Sequence, residues 1–351
     1  MPVSTTHPFY DDQADDWTTA RVAVAGEKAV RADIQKYLPV PPGMGQPATR
    51  PAQPSKYGIQ YAQHDRYSWY STFAEYPDIV APTVEAFQGL IHEKKPRVEL
   101  PAAMEYLREK ATANGESLDE LWKMVTRELI NAGRQILLAE VLPGTDMVVS
   151  CPYHAESLIN WRISTPREGS TVSLAVLAEG VFEPDGDDDF EVELVTKYRE
   201  LRLVDGAYSV RLWEASSGVS TSPATQDGGK VQQSTEVLPT LVDPDRVTQE
   251  GEDENGFVTP LRLGSEFDFI PMDVGNADGV GFTYGHIPIL PMAKIALSIF
   301  RKSADYNRAL YNKGDPQAVI ISDMDEADLP DTIGGGAIWL IPLGPGADAK
   351  Y

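Results

Sequence analysis

The sequence predicts an α+β fold, in which helices and strands occupy separate stretches of the chain. Helical patterning fills most of the first 132 residues, and strand patterning runs from residue 135 to about 242. One long amphipathic segment, Met292 to Lys313, follows the strands. Its apolar residues recur at helical spacing: Met292, Ala296, Ile299, Tyr306 and Leu310, with Ala293, Leu297, Phe300 and Ala304 on the adjoining stripe. Lys294, Ser298, Arg301, Asp305, Arg308 and Asn312 form a polar seam on the other side. Pro291 suits a first helical position, Gly314 suits the residue after the end, and Pro316 forbids continuation. At 1.5 Å per residue the helix spans roughly 33 Å. An apolar arc this wide fits a helix between two neighbours, which can be identical ones. The plainer reading is a core-packed helix of an ordinary domain.

The elements before it follow in order. Asp11 to Ala25 reads as a helix anchored by Trp17 and ended by Gly26, with a second helix from Glu27 to Tyr37. Residues 39–56 are rich in Pro and small residues and predict an exposed arm. Aromatic helical material runs from Tyr57 to Tyr76, interrupted at Pro77 and Pro82, and Thr83 to His92 is helical again. The aromatic spacing fits a packed face better than a nucleic-acid stacking platform. Leu100 to Ala113 reads as a short amphipathic helix. Ser117 with Glu120 forms a capping box for a helix from Leu118 to Ala132, and Gly133 ends it. Gln135 to Leu142 reads as a buried strand. Strands are then predicted at 147–150, 158–163, 172–179, 191–203, 208–214 and 237–242, with Asp205 and Gly206 as a hairpin turn.

The totals narrow the function. A formal net charge of −23 removes the Lys and Arg surplus that non-specific phosphate binding requires. Cys151 is the single cysteine, so no internal disulfide forms, and it reads as a small buried hydrophobe. The first residues lack the basic and apolar regions of a secretory signal, and no apolar run approaches membrane-spanning length. The five histidines, at 7, 64, 92, 154 and 286, have no metal-ligand spacing on one helix. Asp185 to Asp189 begins like a calcium loop, but Phe190 stands where the loop needs glycine and Thr196 where it needs the bidentate glutamate. Gly334 to Gly336 lacks the Lys-Ser/Thr of a phosphate loop. No catalytic, cofactor or metal residues are therefore named, and the expectation is a protein that is not an enzyme. Two other classes stay open: a metal-dependent hydrolase or nuclease using acidic loops (Asp187, Asp325), and a monomeric β-rich binding module.

Several blocks, in this order, carry a resemblance. They are Trp17 with Gly26–Glu27 and Tyr37–Pro39; Ala81–Val84 with Gly89; Gly115–Leu118 with Gly133; Pro152–Tyr153 with Glu156–Arg162; Phe269–Met272; and Ser303–Tyr306 with Asp315–Pro316. Together they resemble a family of portal-like proteins of tailed bacteriophages and prophages. Ile159–Arg162 and the long-helix block are the most specific. The resemblance implies the phage portal fold: a wing of helices and strands, a long stem helix, and a small α/β clip. Residues 1–56 would be N-terminal helices and the Pro-rich arm, and 57–146 the helical part of the wing. Residues 147–282 would be its β-rich part, 283–314 the stem helix, and 315–351 the beginning of the clip. Family members continue into a second stem helix, a channel-bordering helix and a crown, which the chain ending at Tyr351 is expected to lack.

The function implied is a structural subunit in a ring, usually a dodecamer, at one capsid vertex. Double-stranded DNA is packaged and ejected through the ring without sequence-specific binding. The partners implied are further copies of the chain, the terminase large subunit, the major capsid and scaffold proteins, and the head-tail connector. The location implied is the virion, and the host cytoplasm during assembly. On this reading Met292, Ala293, Ala296, Leu297, Ile299, Phe300, Tyr306 and Leu310 meet neighbouring subunits. Lys294, Ser298, Arg301, Asp305 and Arg308 face the channel or the capsid.

Overall fold

A computed structural model describes residues 2–41, 63–142, 145, 147–164, 171–184, 192–215, 239–241, 256–262, 265–282, 285–314, 318–321 and 338–341. The helices are α1 (Pro8–Ala25), α2 (Glu27–Ala32), α3 (Ile34–Tyr37), α4 (Gln63–Thr72), α5 (Val80–Ile91), α6 (Leu118–Ala132) and α7 (Leu290–Gly314). The strands are β1 (Arg134–Val141), β2 (Val148–Tyr153), β3 (Leu158–Ser164), β4 (Thr171–Pro184), β5 (Val192–Val204), β6 (Ala207–Ala215) and β7 (Pro239–Leu241). They continue as β8 (Leu261–Arg262), β9 (Ser265–Glu266), β10 (Met272–Asn276), β11 (Gly279–Val280), β12 (Ala318–Ile321) and β13 (Ile338–Ile341). The architecture is α+β.

The chain groups into two compact units, residues 1–21 with 83–291, and residues 22–82 with 292–351. The sequence reading placed its boundaries elsewhere, at 56, 146, 282 and 314. The difference arises because side chains on α7 bond to segments more than two hundred residues earlier, a pairing that local patterning does not reveal. Arg301 donates to the Tyr37 carbonyl, Asn307 donates to the Phe73 carbonyl, and Asp305 accepts from the Tyr70 hydroxyl.

In the first unit, a four-stranded antiparallel sheet has the order β11-β10-β1-β2, and a five-stranded one the order β3-β4-β5-β6-β7. Both supply one apolar core. Ile136, Leu138 and Val274 come from the first sheet, and Leu158, Trp161, Leu177, Leu201 and Tyr208 from the second. Helix α6 shows the capping box, with the Ser117 hydroxyl accepting from the Glu120 N–H, and closes on Gly133 in the left-handed region. Trp17 is buried and its indole N–H donates to the Ala132 carbonyl at 2.9 Å. Asp205 and Gly206, with φ of 51° and 89°, make the tight turn between β5 and β6.

Three elements differ from expectation. Residues 102–108 form a 3₁₀ helix with no buried residue, not an amphipathic α-helix. Helix formation between Glu27 and Tyr37 is interrupted at Asp33, whose φ of −122° and ψ of 53° are not helical. Strand β4 runs past Glu179 to Pro184, because β5 pairs with it as far as Pro184↔Val192.

In the second unit α4 and α7 share an aromatic cluster. Trp69 meets Phe73 and Tyr311 edge-on at 4.6 and 4.9 Å between ring centres. Tyr76 donates to the Ala23 carbonyl and sets its ring 6.2 Å from that of Phe300. Parallel strands β12 and β13 pair in register from Ala318↔Ile338 to Ile321↔Ile341.

Candidate interaction face on the long helix

Helix α7 is 25 residues long and carries apolar side chains on two sides. Ala293, Ala296, Leu297, Phe300 and Ala304 are buried. Ile295, Ile299, Tyr306 and Leu310 are between 42 and 64 % exposed. At 3.6 residues per turn these four fall within about 60° of one another, roughly a third of a turn from the buried side. They form a stripe about 22 Å long. The single wide arc of the sequence reading is therefore two surfaces. Of the eight residues expected to meet neighbouring subunits, Ala293, Ala296, Leu297 and Phe300 are enclosed by the chain itself, and Met292 is half-buried. Ile299, Tyr306 and Leu310 stay open, and Ile295, which the sequence reading omitted, joins them. A spacing of four, seven and four residues marks this stripe in the sequence, but solvent exposure is invisible there.

The polar seam is also divided. Arg301 Nε donates to the Tyr37 carbonyl at 2.7 Å, and Asp305 accepts from Tyr70 Oη at 2.8 Å. The Arg308 guanidinium lies over the Tyr70 ring at 5.7 Å. Burial and the Asp305 contact both push the Tyr70 phenol upward, so it stays protonated as a donor. These three side chains bind α7 to its own unit. Ser298 is half-buried and Lys294 exposed. The side chain of Asn312 lies outside the described residues.

The charged clusters of the first unit are closed networks. Arg21 binds Glu156 through Nε at 2.8 Å and Glu128 through Nη1 at 2.9 Å. Glu128 also accepts from the Ala155 N–H at 3.0 Å and faces His154 Nδ1 at 3.3 Å. Burial raises the Glu128 pKa, but the bonds from His154 and Arg21 outweigh it and hold the carboxyl at about 2. In a second network Arg199 joins Glu140 to Glu179, which also accepts from the Tyr153 hydroxyl. Cys151 donates to Glu140, and burial followed by that carboxylate pushes its thiol up to about 12. A thiol in that state is no nucleophile at neutral pH. In a third, buried Glu200 accepts from Arg211 and from the Trp213 indole. Carboxylates committed to guanidinium groups are poorly placed to ligate a metal. Among the described residues no group of three or more His, Cys, Asp or Glu side chains is placed to hold one. Asp185–Asp189, Gly334–Gly336 and Asp325 lie outside the described residues.

The Glu128 network gives a stability prediction. Replacing Glu128 with Gln removes a buried charge whose folded pKa lies well below the ordinary 4.5, and is expected to cost about 3 kcal/mol at neutral pH. Urea unfolding checks this. Because the folded pKa is lowered, this contribution is present above pH 4.5 and disappears as pH falls toward about 2. His154 has the opposite sign. Its bond to Glu128 raises its pKa, so its smaller contribution is full below the ordinary 6.5 and fades as pH rises through the raised value. Thermal melts of wild type and His154→Ala are expected to converge as pH rises above that value.

Among the described residues, no helix is long and apolar enough to cross a membrane. Compared with protein-family models and with curated proteins, the chain matches none.

Proposed function

We propose that this chain is a structural, ring-forming subunit of the portal type, set at a capsid vertex and passing double-stranded DNA. The observation that carries the reading is the exposed stripe of α7, Ile295, Ile299, Tyr306 and Leu310. Four large apolar side chains aligned along one face, roughly a third of a turn from the face that already serves the core, fit a surface that a partner covers. A second copy of the chain is the partner that a ring supplies. The order of the sequence blocks, from Trp17 to Asp315–Pro316, supports the same reading. The acidic balance of −23 suits a conduit, since Lys- and Arg-rich walls would hold the DNA they must release. The terminase large subunit, the capsid and scaffold proteins and the head-tail connector are the further partners this function entails.

The test is the mass of the purified chain by analytical ultracentrifugation, with electron micrographs of the same sample. A species of more than two copies is expected. Ile299→Asp combined with Tyr306→Asp is expected to reduce it to monomer while leaving the circular dichroism and melting temperature unchanged, because both sites are exposed. A wild-type chain that stays monomeric at high concentration defeats the reading.

A further inference from the structure

The segment ahead of α1 forms a strap on the edge of the five-stranded sheet, of which β3 is the outer strand. Residues 2–5 close a turn, with the Thr5 N–H and hydroxyl both donating to the Pro2 carbonyl, at 3.1 and 2.8 Å. Two bonds then anchor the strap. Asn160 Nδ2 donates to the Thr5 carbonyl at 2.7 Å, and the His7 N–H donates to the Ile159 carbonyl at 2.8 Å. The β3–β4 register skips Ile159, passing from Leu158↔Leu177 to Asn160↔Val176, and a bulged residue of this kind is left for other partners. The His7 ring lies flat on Trp161, with 4.1 Å between centres and 13° between planes.

His7 is also the N-cap of α1. Its carbonyl accepts the first helical bonds, from the Tyr10 and Asp11 N–H groups at 2.8 and 3.3 Å, and its Nδ1 accepts from the Phe9 N–H at 3.2 Å. An accepting Nδ1 is an unprotonated one, so this cap exists only while that nitrogen carries no proton. A proton there would set two donors against each other at the positive end of a helix dipole. The charges facing the ring are Arg134 of β1 and Asp11 of α1, while β3 presents the uncharged Trp161 ring. Arg134 is buried, with its guanidinium 4.7 Å from the indole on which His7 stacks. A second cation beside it is repelled where water screens little. Asp11 and the π face of Trp161 favour the imidazolium, but burial and Arg134 outweigh Asp11 and hold the His7 pKa below the ordinary 6.5.

We infer that His7 is an acid-operated latch: a proton taken up at Nδ1 uncaps α1 and releases residues 2–7 from β3. The released imidazole binds a proton more tightly than the docked one. Docking is therefore full above the ordinary 6.5 and weakens as pH falls below it. Release uncovers the Ile159 carbonyl and the Trp161 ring on an edge strand, the kind of position where an extended segment adds to a sheet. The latch is independent of the ring-forming reading.

Hydrogen exchange of the whole chain, read by mass spectrometry at about pH 7.5 and pH 5 and corrected for intrinsic rates, reports on the strap directly. Protection at the His7, Tyr10 and Asp11 amides is expected to fall at least about threefold in acid, while α6 stays protected. His7→Asn supplies a good N-cap acceptor that does not titrate, and is expected to keep its protection at both pH values. Equal wild-type protection at the two pH values overturns the latch, and so does an acid loss that persists in His7→Asn. Nitrogen NMR of the His7 ring in the wild-type chain tests the same point without relying on that variant. An Nε2–H tautomer at neutral pH and a titration midpoint below 6.5 are expected. In Asn160→Ala, which removes one anchor of the strap, the midpoint is expected to rise toward 6.5. A wild-type midpoint at or above 6.5, or one that Asn160→Ala leaves unmoved, overturns the latch.

Discussion

Replacing Phe300 with aspartate is expected to unfold the unit that contains α7, not merely to disperse an assembly. Phe300 is fully enclosed, with the Tyr76 ring at 6.2 Å and the Arg31 guanidinium over its face at 5.9 Å. Deleting a buried aromatic costs about 3–5 kcal/mol by itself. A carboxylate placed there adds the penalty of an unsolvated charge, offset only in part by Arg31. The total exceeds about 5 kcal/mol, comparable with the whole stability of a typical domain. Loss of helical circular dichroism, or a cooperative urea transition shifted nearly to zero denaturant, checks it. Ile299 is the adjacent residue and is exposed, so Ile299→Asp is expected to leave the same transition within about 0.5 kcal/mol of wild type. The contrast between neighbours measures the division of α7 into two faces. Equal loss at both positions would mean that the exposed stripe is part of the fold.

Gly133→Ala is expected to destabilise the other unit by about 3 kcal/mol or more. Gly133 sits at φ +69°, where a side chain already costs about 1 kcal/mol. An added Cβ would lie 2.5 Å from the His286 carbonyl oxygen, 3.1 Å from its carbon and 3.2 Å from Ile287 Cα. All three are backbone atoms, so no side chain can swing aside. Local movement would also disturb the Gly133 N–H bond to the Leu129 carbonyl and the Ala277 N–H bond to the Gly133 carbonyl, at 2.9 and 3.0 Å. Gly89 is the control. It lies inside α5 with nothing within 4 Å of an added Cβ, so Gly89→Ala is expected to stabilise by about 0.5–1 kcal/mol. Thermal unfolding of the two variants should move in opposite directions.

These outcomes separate what is local from what is not. Helix α6 was legible to the residue, because Ser117, Glu120 and Gly133 act within one turn of the ends they define. The β5–β6 hairpin was legible for the same reason, since Asp205 and Gly206 alone supply the positive φ the turn demands. Helix α7 was recognisable from periodicity, Pro291 and Gly314. The break at Asp33 and the 3₁₀ character of residues 102–108 were not, because competing helical conformations there differ by little and packing decides between them.

By itself the sequence determined that the chain is α+β, where its strongest helices begin and end, and that its balance is acidic. It also determined that α7 is apolar over an unusually wide arc. Only the tertiary structure decided how that arc is used. It encloses Phe300 with Tyr76 and Arg31, spends Arg301, Asp305 and Arg308 within their own unit, and leaves Ile295, Ile299, Tyr306 and Leu310 in solvent. Periodicity tells which side chains share a face, but exposure depends on what distant segments bring to that face. Those contacts span more than two hundred residues between α7 and Tyr37, Tyr70 and Phe73, and no local pattern encodes them.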